Sequence, residues 1–234
     1  MSGGDERYTA TESDEQALLA SLRPSLDAAL ARERGALGWW RSRPTSVRAG
    51  LIALLALVLP IAPTVWTGAA FTSALTMAER AVLIGLSGLS LLLAVGLAMR
   101  PLHRPPASRA VTRAILATTL LAPVVVAILA LVSHGVGPVG PGVCLRMGLA
   151  LSLPGLGLVW MSARSPLLGP TAFAAGTVAG LGGYLAIGLH CPHVEALHVL
   201  VMHAPIVLTL GLLSALRGLS NRVTSGAGVS PRRG

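Results

Sequence analysis

The chain has 234 residues, of which 53% are hydrophobic and only 12% charged, with a mean hydropathy of +0.72. A soluble domain carries about twice that charge, and the apolar residues here fall in long runs, which excludes the one or two soluble domains that length alone would allow. The net charge of +9 rests on 18 basic residues, all arginine; they flank the apolar runs, where they serve topology, so direct nucleic-acid binding is excluded too.

Residues 1–48 are polar and hold seven of the nine acidic residues. Ser13 followed by Gln16 reads as a capping box. Leu18, Leu22, Leu26 and Leu30 then recur every four residues, which predicts an amphipathic helix over about 14–35. Pro24 is expected to split or kink it, and Gly35 and Gly38 to end it. Trp39, Trp40, Arg41, Arg43 and Arg48 follow as a membrane-interface anchor. No signal peptide is expected, because the first apolar run starts only after these 48 polar residues. The leucine stripe admits two uses. It can dock in a partner's groove through its i, i+4 anchors, or it can lie on the membrane surface. Its acidic neighbours Asp14, Glu15, Asp27 and Glu33 speak against an anionic leaflet and for a basic protein partner.

Six apolar runs follow, over 50–71, 81–99, 112–133, 144–162, 170–189 and 196–216. Each approaches the roughly 20 residues that a helix needs to cross a bilayer. Backbone groups in lipid must be bonded within the segment, so these runs are helices rather than open strands. Pro60, Pro63, Pro123, Pro154 and Pro205 lie inside them and are expected to kink them. Gly85 with Gly88, and Gly176 with Gly180 and Gly183, mark faces where helices can approach closely; Gly176 and Gly180 fit the small-x-x-x-small pattern, as packing within the bundle or as a dimer face. With the N-terminus inside, the inner segments hold 16 arginines and the outer ones only Arg80 and Arg146. The positive-inside rule therefore places both termini in the cytoplasm, with Arg146 snorkelling to the outer surface from the start of the fourth span.

The expected fold is all-α: a cytoplasmic N-terminal segment (1–48) carrying a partner-binding amphipathic helix, a six-helix transmembrane domain (49–216), and a disordered basic tail (217–234). No enzyme is expected. There is no glycine-rich phosphate loop, and no serine has a histidine and an acid to work with.

In this topology Cys144 and Cys191 lie at the outer ends of the fourth and fifth spans. They read as a redox pair, as metal ligands, or as two unrelated buried cysteines, which behave as small apolar residues. His134, His190, His193, His198 and His203, five of the six histidines, share that outer half. In the run His190-Cys191-Pro192-His193-Val194-Glu195-Ala196-Leu197-His198, Pro192 can start the sixth helix, with Glu195 and His198 then three apart on one face. Cysteine, histidine and carboxylate are the ligand set of zinc or copper, so His190, His193, Glu195, His198 and His203 are candidate ligands of a transition metal. The bland alternative is interfacial polarity. A small metal- or solute-handling transporter is a second functional reading, with His203, about two turns into the last span, as its nearest candidate residue.

The Leu189-His190-Cys191-Pro192 motif after a glycine-rich fifth span, together with the earlier Cys144, resembles the NrsF-like membrane anti-sigma factors. These are six-span bacterial inner-membrane proteins that hold an extracytoplasmic-function sigma factor inactive. The resemblance covers residues 48–216 in architecture. It implies a sigma factor as the cytoplasmic partner, the inner membrane as location, and a sensing role for Cys144 and Cys191 in releasing that partner on a periplasmic redox or metal signal. The chain departs from the family in a longer, more acidic N-terminal segment and in the extra histidines after Cys191.

Overall fold

An apolar run in lipid has to bond its own backbone, and in the computed structural model the runs do so as helices. The structure describes residues 12–33, 35–59, 74–100, 107–140, 142–162 and 169–226, together with residues 62, 105 and 167. Among the described residues there is no strand. The chain forms two units, Met1–Arg43 and Pro44–Gly234.

The first unit holds α1 (Glu12–Glu33) and α2 (Ala36–Ser42). Helix α1 begins one residue ahead of Ser13, so Ser13 lies inside the helix rather than capping it. Pro24 does not split the helix. The carbonyl it leaves unbonded belongs to Ala20, which is exposed, as is Pro24 itself, so the missing bond carries no burial penalty. Gly35 separates the two helices as the N-cap of α2, whereas Gly38, expected as a terminator, sits inside α2. Of the leucine stripe, Leu22 is exposed; the side chains of Leu18, Leu26 and Leu30 lie outside the described residues. The Arg43 guanidinium stacks 4.4 Å over the Trp39 ring.

The second unit starts at Pro44, five residues before the expected start at 49, because α3 (Thr45–Val58) already includes Arg48. Arg48 is no interface anchor: it is buried and donates to the Ser162 carbonyl and, at 3.3 Å, to Thr45 Oγ1. A cation on the last carbonyls of a helix satisfies orphan acceptors and opposes the helix dipole. Among the described residues, five helices are long and apolar enough to cross a membrane. They are α4 (Met77–Ala98), α5 (Arg109–His134), α6 (Val143–Ser162), α7 (Pro170–His190) and α8, whose apolar stretch is Ala196–Ser220 and which continues to Gly226. The protein is a multi-span helical membrane protein. The expected first span appears as the 14-residue α3, about 21 Å long at 1.5 Å per residue; Pro60, Pro63 and most of the rest of that run lie outside the described residues. The expected disordered tail is helical over 217–226, and 227–234 lie outside the described residues.

Local signals set the helix starts. Thr76 and Glu79 form a reciprocal capping box at α4, with Glu79 N donating to Thr76 Oγ1 at 3.3 Å and Thr76 N to Glu79 Oε2 at 2.8 Å. Ser108 accepts from Val111 N at the start of α5. Helices α5 and α6 run on through Pro123 and Pro154. Arg146 is exposed on the first turn of α6.

Helix α7 is the axis of the bundle, with 16 of its 21 residues buried, and α4, α6 and α8 pack around it. Its sequence permits this, since alanine and glycine let backbones approach closely. A methyl group built at Gly176 would overlap the Leu210 carbonyl of α8, and one at Gly180 would lie 2.7 Å from Val207 Cα. At Gly183 it would overlap Ser152 and Gly148 of α6. The Gly176/Gly180 pattern is thus used inside the bundle. Gly85 has open space beside it and Gly88 meets only Leu57, at 3.6 Å, so that pair makes no close helix approach. Gly176→Ala and Gly180→Ala should each destabilise the bundle by about 1–3 kcal/mol, the usual range for overpacking, while Gly85→Ala should be neutral. Thermal unfolding of the three variants in detergent, followed by circular dichroism, checks this.

Candidate thiol and metal site

Two ends of the bundle are defined by contacts. At one, Arg48 meets Ser162, and Arg217 of α8 stacks 4.0 Å over Trp160 of α6. At the other, Glu79 of α4 pairs with His134 of α5 at 3.1 Å, and Cys144 of α6 meets Cys191 after α7.

Cys144 stands on the first turn of α6 and is buried. Cys191 caps α7, its N–H donating to the Ile187 carbonyl at 2.7 Å. Pro192 holds Cys191 in an extended conformation, φ −74° and ψ 129°, so the chain turns away while the thiol stays inside. The two sulfurs are 3.1 Å apart as free thiols. Apolar side chains of the bundle core, Leu156, Ile187, Ile206 and Leu210, pack with them. Burial, and next the hydrogen bond with Cys144, push the Cys191 thiol up to about 12. A metal bound there would take the place of the thiol proton.

The histidines arrive from α8. The helix starts at Ala196 with Glu195 as N-cap, not at Pro192, which is exposed in the connecting bend. Its first N–H groups would be orphans; Ala196 and Leu197 instead donate to the carbonyls of Gly135 and Val136, both at 3.1 Å. The 135–140 loop that supplies them turns through Gly137 (φ 57°) and Gly140 (φ 71°), a left-handed region that suits glycine. Gly140 also has to be small, because a Cβ there would lie 2.5 Å from His198 Nδ1. The loop brings the Val139 carbonyl to His198 Nδ1 at 2.5 Å. With Nδ1–H donating to that carbonyl, Nε2 keeps its lone pair, and Nε2 lies 3.3 Å from Cys191 Sγ. Carbonyl-fixed imidazole of this kind is the usual support of a metal-binding histidine.

His203 joins through a local departure from α-helix. Residues five apart on an α-helix point about 140° apart, given 3.6 residues per turn. Val199–His203 forms a π turn, with the Ala204 N–H donating to the Val199 carbonyl. Five-residue bonding puts His198 and His203 on one face, their rings T-shaped with centroids 5.0 Å apart. Pro205 gives a reason: it has no N–H for the Val201 carbonyl and its ring crowds that carbonyl. The kink expected at this proline takes the form of a widened turn. π turns of this sort occur often at functional sites.

Cys144, Cys191, His198 and His203 are all buried, and one ligand atom from each lies within 4.8 Å of every other. This group can hold a metal ion. The remaining candidates fall outside it. His193 sits at the rim, its ring 5.1 Å from that of His198, and its Nδ1 is 4.0 Å from Glu195 Oε2. Glu195, at the N-cap position of α8, packs against Gly137 and is not among the four converging residues. His190 points to a different place, an apolar cavity of about 310 Å³ between α3, α6 and α7 lined also by Ile52, Ala56 and Gly182. His134 is taken up by Glu79. The sequence reading missed the Val139 carbonyl and Gly140; their signal is the Gly135, Gly137, Gly140 spacing.

No protein-family model, no curated protein and no solved structure matches the chain.

Mild oxidation of the full chain in detergent should join Cys144 to Cys191 within one molecule. Intact mass would fall by two hydrogens and both thiols would become inert to alkylation. Two alkylatable thiols after oxidation, or dimers linked between chains, would contradict the placement.

Proposed function

We propose that the protein is a six-span membrane anti-sigma factor that reads thiol chemistry on the outer side of a bacterial inner membrane and answers on the inner side. The carrying observation is the buried Cys144–Cys191 pair, set at the bundle end opposite Arg48 and Arg217. The separation of arginines supports an orientation with the thiols outside and both termini inside. The sixth span of this reading is assigned to the apolar run that begins with α3 (Thr45–Val58). The resemblance of Leu189-His190-Cys191-Pro192 to the NrsF-like proteins supplies the partner, an extracytoplasmic-function sigma factor, and α1 the element that holds it. Exposed Leu19 and Leu22 on α1 suit capture of an apolar groove.

A transporter draws less support. Three hydroxyls buried in the spans turn back onto their own helices: Thr119 to Ile115 O, Ser152 to Gly148 O, Thr177 to Ala174 O. Such bonding serves the backbone rather than a solute.

The full chain, purified from its own membranes, should carry a sigma factor. Removing residues 1–47 should abolish the association and raise transcription of the regulon, and Leu22→Glu should weaken it at least tenfold. Recovery of no sigma factor with the full chain, or equal recovery with the truncated one, would sink the reading.

A further inference from the structure

The thiol pair is only half of what is assembled at that end of the bundle. Among the described residues, two thiols and two imidazoles converge, all buried, with no carboxylate in the group. His198 already has the orientation of a ligand, Nδ1 to the Val139 carbonyl and Nε2 toward Cys191 Sγ. His203 is 2% exposed, and its Nε2 has no hydrogen-bond partner. A helix register shift brings it to the cluster. A merely apolar thiol pair explains neither the fixed tautomer nor the buried, unpartnered imidazole.

We infer that Cys144, Cys191, His198 and His203 form a closed four-ligand site for a thiophilic d10 metal ion of the zinc class. This deepens the thiol-sensor reading and rests on it for its biological role. Two sulfurs and two nitrogens are the donor set of tetrahedral zinc. Magnesium and calcium require oxygen donors, and the four-residue group contains no carboxylate. Two thiolates on one zinc stand ~3.8 Å apart, from a Zn–S distance of about 2.3 Å. The 3.1 Å sulfur pair therefore opens slightly as the ion enters and both thiol protons leave. With four protein ligands no position remains for water, so the site is structural or sensory rather than catalytic. A metal held by both sulfurs and a Cys144–Cys191 disulfide are mutually exclusive, so metal occupancy protects the thiols.

Zinc is the test ion, on the full chain in detergent. Chelator-stripped protein reloaded with zinc should retain one ion per chain, and cobalt in its place should give the intense visible bands of a tetrahedral, thiolate-ligated site. Zinc should also block alkylation of both cysteines. His203→Ala and Cys144→Ser should each weaken zinc binding at least a hundredfold, whereas His190→Ala and His193→Ala should leave it unchanged; circular dichroism identifies any variant that fails to fold. Substoichiometric zinc, or alkylation unaffected by zinc in the unaltered chain, overturns the inference without recourse to variants. So does a folded His203→Ala that binds as tightly as the parent, which would mark the metal as adventitious. The assay involves no sigma factor. A chain that binds zinc but captures none refutes the anti-sigma reading and keeps the site; one that captures a sigma factor and binds no zinc does the reverse.

Discussion

The contact on which the thiol end depends is the backbone approach of α8 to α7. Gly176 and Gly180 let the α8 backbone at Leu210 and Val207 close against the axis helix. In lipid no hydrophobic drive separates one apolar helix face from another, so packing of small residues sets the geometry. That approach fixes the height of α8 against α7. Cys191 ends α7, and His198 and His203 begin α8, so the same approach sets how far the imidazoles stand from the sulfurs. A larger residue at Gly180 would move the histidines as a body although it touches none of them.

A second constraint is the closure of the cluster by the 135–140 loop. Its carbonyls serve two purposes at once. Those of Gly135 and Val136 satisfy the first N–H groups of α8, and that of Val139 sets the His198 tautomer. Burying a polar group without a partner costs about 1–3 kcal/mol, so helix start, loop and imidazole are specified together. The Glu79–His134 pair, 3.1 Å apart, ties α4 to the end of α5 just ahead of this loop and so holds its near end.

The long helices were legible from composition alone, because a run of apolar residues in lipid has one backbone solution. The direction of Cys144 and Cys191 toward one end was legible from span boundaries. The membership of the cluster was not. Proximity in sequence put His190, His193 and Glu195 beside Cys191, but His190, the last residue of α7, lines the cavity beside Ile52 and Gly182, and the delayed start of α8 at Ala196 puts Glu195 at the N-cap position. At α-helical spacing His203 would point about 140° away from His198; the π turn makes them neighbours. A period of 3.6 read into a helix that locally abandons it misplaces every side chain counted from it. Pro24 misled for a related reason: a missing hydrogen bond is disruptive where the freed carbonyl is buried, and Ala20 is exposed.

The π turn also decides what kind of coupling the fold permits. Helix α8 carries two ligands of the cluster at its start and Arg217, stacked on Trp160, near its far end. Between them it is pinned to α7 through Gly176 and Gly180. A rigid α-helix so pinned has little freedom to slide, since cores repack between discrete arrangements rather than deform smoothly. A turn bonded i to i+5 is the one segment of α8 with an alternative register close at hand. An event at His203 therefore has two outcomes within α8. Either the widened turn absorbs it, leaving Arg217 on Trp160, or the turn tightens and the helix below rotates against α6 and α7. The second outcome links the two ends of the bundle, and it requires the turn to be wide beforehand, which is what Pro205 ensures.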